Sequence, residues 1–302
     1  MSKLTKFVWR CFLLGLISFT LLIIAINYEL LGDMPSMEEI ENPASAMSSE
    51  VYSADGTILG NYYILNRSNS EYNEISKNVF NALIATEDER FEEHSGIDGR
   101  ATMRAVILAG KRGGGSTITQ QLALNLFDER SSNKLLRVIQ KLKEYILAVK
   151  LEKNLTKNEI ITLYLNTVPF GDNVYGIKNA ALTFYSKTPD KLSVDEAAVL
   201  IGMLKGNTIF NPRRNPEKAV NRRNTVIDQM LNSNFLTPQE AASYKQKPLV
   251  LKYKKIDHHD GLAPYFRQVL EQEIKKWCKE NKKPNGENYN SYYYKCSLTT
   301  LC

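Results

Sequence analysis

Three short segments hold side chains whose types and spacing could do chemistry. In residues 85–98, ATEDERFEEHSGID, a helix of 3.6 residues per turn puts Phe80, Ile84, Glu87 and Phe91 on one face, so Glu87 projects where apolar neighbours are expected. A carboxylate in such surroundings is poorly hydrated, which raises its affinity for a proton and suits it to general-base catalysis. A buried structural Glu paired with Arg90 or Arg100 explains this segment equally well.

Residues 110–127, GKRGGGSTITQQLALNLF, run three glycines into a helix that Thr117 and Gln120 can open as a capping box. Unpaired amides at that helix start, with Lys111 and Arg112, would seat a phosphate or pyrophosphate. A nucleotide P-loop does not fit, because Ser116 stands where Lys is needed and the preceding VILAG grows out of a helical pattern. An ordinary capped glycine loop remains open for this segment alone. Along residues 137–153, RVIQKLKEYILAVKLEK, one apolar stripe continues from Leu135 just before the segment through Val138, Ile139, Leu142, Ile146 and Val149. A second face holds Gln140, Glu144, Leu147, Ala148 and Leu151. Apolar residues on both sides predict a helix buried within the domain, with Glu144 a second interior carboxylate and Lys141 one turn before it as its partner. A structural salt bridge accounts for that pair alone.

These segments need a helical frame, and the pattern supplies one. Helices are predicted from Ser76 through Phe91, from Thr117, over 135–151, and near 157–165, 176–185, 194–204 and 216–231. Before them, VYSADGTILGNYY carries Asp55-Gly56 between two β-rich runs, a hairpin signal. At the N-terminus the uncharged run 11–26, extended back to Phe7 with Arg10 snorkelling, is about 20 residues and long enough to cross a bilayer. Lysines before it predict a cytoplasmic N-terminus, and a small-residue site at 44–46 lies too far downstream for a cleaved signal peptide. The expected organisation is a cytoplasmic tail over 1–6, a transmembrane helix over 7–26, a tether over 27–50, a mainly α domain over 51–245, and a linker and tail over 246–302.

Composition is that of a globular protein, with 43% hydrophobic and 24% charged residues. Its net charge of +6 suits a phosphate-bearing substrate or an anionic membrane and is too small to argue for nucleic acid. Cys11, Cys278, Cys296 and Cys302 form neither a zinc pattern nor a disulfide framework. His258, His259 and Asp260 lack further ligands and read as a solvated linker.

Taken together, the three segments resemble the peptidoglycan glycosyltransferases, which occur alone or as the first catalytic domain of class A penicillin-binding proteins. EDxxFxxHxG is matched at Glu87, Asp88, Phe91, His94 and Gly96. GxSTITQQ is matched from Gly114 through Ser116, Thr117, Ile118, Thr119, Gln120 and Gln121. RKxxE is matched at Lys141 and Glu144, with Gln140 in place of the usual Arg. A fourth motif, ILExYLNxxxxG, is approached by ITLYLNTVPFG over 161–171, where Thr162 and Leu163 depart from it.

The resemblance implies a lysozyme-like, mainly α fold with a small β-hairpin and one N-terminal transmembrane helix, its catalytic part outside the cytoplasmic membrane. It implies polymerisation of lipid II into β-1,4-linked glycan strands, with inversion and release of undecaprenyl pyrophosphate. Glu87 would be the general base. Lys141 and Glu144 would attend the leaving pyrophosphate, Glu144 directly or through a divalent cation such as Mg²⁺, with Asp88 a further metal contact. Ser116, Thr117, Thr119, Gln120 and Gln121 would hold phosphates and sugars, beside Phe91 and His94. Residues 101–110 lie where the family dips into the membrane, although a packed core helix fits their periodicity too. Moenomycin is the implied inhibitor and other cell-wall synthesis proteins the implied partners.

A glycan-cleaving lytic enzyme shares the catalytic Glu but needs no pyrophosphate site, and a silent membrane scaffold has no use for both carboxylates. The transpeptidase motifs of bifunctional relatives are not present: Ser131 to Lys134 fits SxxK inside the wrong region, and no KTG occurs. A chain without transpeptidase activity is therefore expected, and its SYYYKCSLTTLC ending reads as a truncation or altered frame.

Overall fold

A computed structural model describes residues 2–28, 30, 49–52, 58–62, 69–107, 115–126, 133–254, 264–281 and 296–297. The Asp55-Gly56 turn, residues 108–114 with Lys111 and Arg112, Ser131, residues 258–260 and most of the tail lie outside them. Among the described residues the chain is mainly α-helical, and it forms two compact units. Residues 1–40 and 92–160 make the first; 41–91 and 161–302 make the second.

The first unit opens with α1, Lys3–Asn27, whose start is capped by the Ser2 hydroxyl accepting from the Thr5 amide. It is long and apolar enough to cross a membrane, and Phe7, Leu14 and Leu21 are exposed along it. Helices α3 (Gly99–Ile107), α4 (Ile118–Leu126) and α5 (Lys134–Asn154) follow. The core forms where Ile118, Leu122 and Ala123 of α4 and Leu147, Ala148 and Leu151 of α5 are all buried. Only one of the two apolar faces expected on α5 is therefore buried. Along the other, Val138 is exposed and Ile139, Leu142, Ile146 and Val149 are half-buried, so the helix lies at the edge of its unit.

In the second unit, β1 (Ser49–Tyr52) pairs antiparallel with β2 (Ile58–Tyr62), and β3 (Cys296–Ser297) lies parallel on the other side of β1. Helix α2 (Lys77–Glu87) is capped by Ser76 and packs with α8 (Val194–Met203) and α9 (Pro216–Asn232). Nearly every residue of α8 is buried, and such all-round apolarity puts it at the centre of this unit. Helix α6 (Lys157–Thr167) gives its first residues to the first unit and the rest to the second. Helices α7 (Ile177–Tyr185), α10 (Pro238–Gln246) and α11 (Pro264–Glu280) complete the set.

Helix α2 ends at Glu87 instead of reaching Phe91. Asp88 leaves the helical region, with φ −159° and ψ 76°, although its amide still bonds the Ile84 carbonyl. The Phe91 amide then bonds the Asp88 carbonyl and begins a single 3₁₀ turn, Phe91–Glu93, with Phe91 buried. Entry to α2 is held by a side chain: Asn166 of α6 accepts from the Ser70 amide (3.0 Å) and donates to the Ser70 carbonyl (2.9 Å).

Candidate active site

In the first unit, Lys141 gathers the polar groups. Its Nζ donates to Glu144 Oε2 at 2.7 Å and to Ser116 Oγ at 2.9 Å, and lies 5.3 Å from the centre of the Tyr145 ring. Glu144 is buried, whereas the Lys141 side chain keeps 37% of its exposure. The pairing follows from helix geometry, since positions three apart share a face. Ser116 comes from a segment 25 residues away, just before α4, and nothing in helical periodicity announces it.

The start of α4 is tied inward. Thr117 Oγ1 donates to the Gly96 carbonyl at 2.7 Å and accepts from the Gln120 amide at 3.1 Å. Gln120 does not complete the expected capping box with its side chain; Nε2 reaches the Gly96 carbonyl at 3.2 Å, because that carbonyl lies over the helix start. Gln120 Oε1 is buried with no hydrogen-bond partner among the described residues. Thr119, fully buried, donates to Glu152 Oε1 at 2.6 Å. Gln121 is half-buried. Thr117, Thr119 and Gln120 thus direct polar groups into the protein, while Ser116 and Lys141 stay partly open to solvent.

Gly96 explains its own position. It has φ +88°, and a Cβ there would meet the Ala148 carbonyl oxygen at 2.8 Å. The turn it makes is closed by the Gly96 amide donating to His94 Nδ1 at 3.2 Å, with His94 half-buried. Asp98 then accepts from the Ala101 amide and opens α3.

In the second unit, Glu87 is half-buried and Asp88 buried. Two residues that periodicity did not bring forward share their surroundings. Tyr164, 1% exposed, has its phenol pushed up by burial and then by the charge of Glu87. Arg222 is pulled down by burial, while the charge of Glu87 works in the other direction. A cation and a buried phenol therefore lie within the field of this carboxylate. Tyr164 stands inside the fourth motif, which was the available signal; Arg222 stands in α9 with none.

A hollow of about 210 Å³ in the same unit is lined by Tyr185, Asp195, Glu196, Arg223 and Lys247, and includes none of the expected site residues. Its two carboxylates are paired, Asp195 to Lys247 of the lining at 3.0 Å and Glu196 to Lys187 outside it at 2.7 Å. Among the described residues no three His, Cys, Asp or Glu side chains gather as a metal site.

A family model described as Transglycosylase matches residues 55–231, and the chain belongs to that family. Penicillin-binding protein 1A of Aquifex aeolicus is 39% identical over 224 residues, which are 73% of this chain and 30% of that one. Penicillin-binding protein 1A of Pseudomonas aeruginosa is 33% identical over 280 residues, 90% of this chain and 33% of that one. The Escherichia coli protein of the same name is 35% identical over 250 residues, 80% and 28% respectively. The chain spans about a third of the length of these relatives. A crystal structure of penicillin-binding protein 1A from Haemophilus influenzae aligns at TM-score 0.40 and 18% identity over 80% of this chain and 26% of that one, too loosely to carry an argument.

Proposed function

We propose that this chain polymerises lipid II into β-1,4-linked glycan strands at the outer face of the cytoplasmic membrane. Glu87 accepts the proton of the acceptor sugar's 4-hydroxyl. The freed oxygen forms a bond to the anomeric carbon of the growing chain's lipid-linked sugar, the bond from that carbon to the pyrophosphate breaks, and undecaprenyl pyrophosphate leaves with inversion. The observation that carries this reading is Lys141 held between Ser116 Oγ and Glu144 Oε2 beside the start of α4. A positive charge fixed in place before reaction stabilises the charge that develops on a leaving pyrophosphate without reorganising. Because the ammonium donates into Ser116 Oγ, the serine's own O–H proton is directed elsewhere, where it can meet a phosphate oxygen.

A divalent cation such as Mg²⁺ belongs to the proposal through Glu144 or Asp88. Mg²⁺ commonly takes one or two carboxylates and completes its shell with water and substrate phosphates, so a single protein carboxylate suffices. Bound there, it would supply further positive charge to the pyrophosphate; Lys141 supplies its own regardless. The lysozyme-like fold, the cytoplasmic N-terminus and α1 as a single-pass anchor are part of the same reading.

Purified chain in detergent, given lipid II, tests the proposal: glycan polymer and undecaprenyl pyrophosphate are expected, and neither forms if the reading is wrong. Moenomycin, whose phosphate would sit against Lys141 and Ser116, should block that reaction. Calorimetry with no moenomycin binding, where a control transferase saturates, would count against the site.

A further inference from the structure

Lys157 and Glu152 form an arrangement that the catalytic reading does not use. Glu152 lies on the last turn of α5, and its side chain is 6% exposed. Its Oε1 accepts from Thr119 Oγ1 at 2.6 Å and from Lys157 Nζ at 2.9 Å. Lys157, the first residue of α6, also donates to the His94 carbonyl at 2.6 Å. One ion pair therefore ties two segments 25 residues apart in sequence: the His94–Gly96 turn and the Thr119 turn of α4. Contact extends to the stem, since a Cβ on Gly96 would come within 3.2 Å of Glu152 Cγ.

We propose that Glu152 and Lys157 are positioning residues for glycosyl transfer. They hold the turn that carries His94 against the helix start that carries Ser116, and through Ser116 they set where Lys141 presents its charge. This inference rests on the transferase reading above. Two features separate the arrangement from a surface ion pair. Both partners are largely removed from water, so the pair is not weakened by solvent as exposed pairs are. Each partner also spends a second bond on a motif segment: Glu152 on Thr119, Lys157 on the His94 backbone. Neither charge reaches the substrate in this scheme, so their loss acts on orientation. A misplacement of about 1 Å at a reacting centre costs on the order of 10²-fold in rate.

The test compares graded variants of the full chain in detergent, assayed on lipid II beside the unaltered protein. Thr119→Val and Glu152→Gln should each lower kcat about 10- to 100-fold while KM changes less than about threefold, because lost orientation falls on the transition state. Lys157→Met should do the same. Lys157→Arg and Thr119→Ser keep the charge or the hydroxyl and should recover kcat to within about threefold of the unaltered chain. Amide exchange over residues 94–96 should quicken in Thr119→Val and return in Thr119→Ser. Should Lys157→Met fail to fold, the Thr119 pair decides alone, since valine keeps the shape. Active Thr119→Val with unchanged exchange, or a loss of kcat that follows melting temperature alike in Lys157→Arg and Lys157→Met, overturns the positioning role. An unaltered chain that makes no polymer sinks the transferase reading instead, and this inference with it.

Discussion

Glu144 and Glu87 are both motif carboxylates, and they sit in different surroundings. Glu144 is buried against an ammonium at 2.7 Å, which is itself fixed by Ser116. Glu87 closes α2 half-buried, and its charge reaches the buried Tyr164 phenol and the Arg222 guanidinium. The difference suits the two tasks proposed for them. A group that stabilises a leaving anion must keep one charge arrangement throughout, and a short ion pair enforces that. The base proposed at Glu87 has to take up a proton from the acceptor sugar, a task that needs no fixed ammonium beside it.

The comparison can be broken most directly at Glu87. Glu87→Gln should lower polymerisation by about 10³-fold and leave thermal melting and moenomycin affinity unchanged, since the amide keeps the size and cannot accept the proton. Turnover near the unaltered rate in a lipid II assay would remove Glu87 from the role of base. Glu144→Gln should cost about 10²-fold and, unlike Glu87→Gln, should weaken moenomycin binding in calorimetry, because Lys141 loses the group that orients it. Equal moenomycin affinity in both variants would erase the distinction between the two carboxylates.

Asp172 offers a carboxylate held by arginines to which the proposed chemistry gives no role. Burial pushes its proton affinity up, but hydrogen bonds from Arg213, Arg214 and Asn211 outweigh this and hold the carboxyl below its ordinary range. Its stabilisation is then present above the unfolded value of about 3.9 and is lost as pH falls through the lower folded value. Asp172→Asn should destabilise the chain by roughly 1–2 kcal/mol at pH 7, with the difference closing below about pH 4 in denaturant titrations. The smallest effect is expected from Gln140→Arg, which adds a cation one residue before Lys141: lipid II turnover should be equal or a few-fold higher. A clear loss would mean that the charge around Lys141 is already balanced.

What was legible in the sequence was whatever depends on neighbours within one helix. Lys141 with Glu144, Ser76 as a cap and the ranges of α6 through α9 follow from three- and four-residue spacing, within a residue or two. Bonds between distant segments were not legible: Ser116 to Lys141, Gln120 to the Gly96 carbonyl, and Glu152 to Thr119. Periodicity also overstated burial on α5, because an apolar stripe predicts a dry face wherever it occurs. Val138 and Leu136 are exposed at its N-terminal end all the same. The early end of α2 turned on the backbone of Asp88, and motif residues carry no record of a dihedral angle.

Asn166 and Ser70 have a consequence for the order of folding. A primary amide presents a donor and an acceptor much as a peptide group does, so Asn166 serves Ser70 as one rung of a ladder would. That rung closes a span of 96 residues, and closure entropy grows with the logarithm of span. Contacts of short span in the second unit, such as those between α8 and α9, should therefore form before Ser70 docks, leaving the Ser70 amide protected later than those helices. Pulsed amide labelling during refolding would record this as a late-protected Ser70 amide, and protection of Ser70 together with α8 and α9 would refute it.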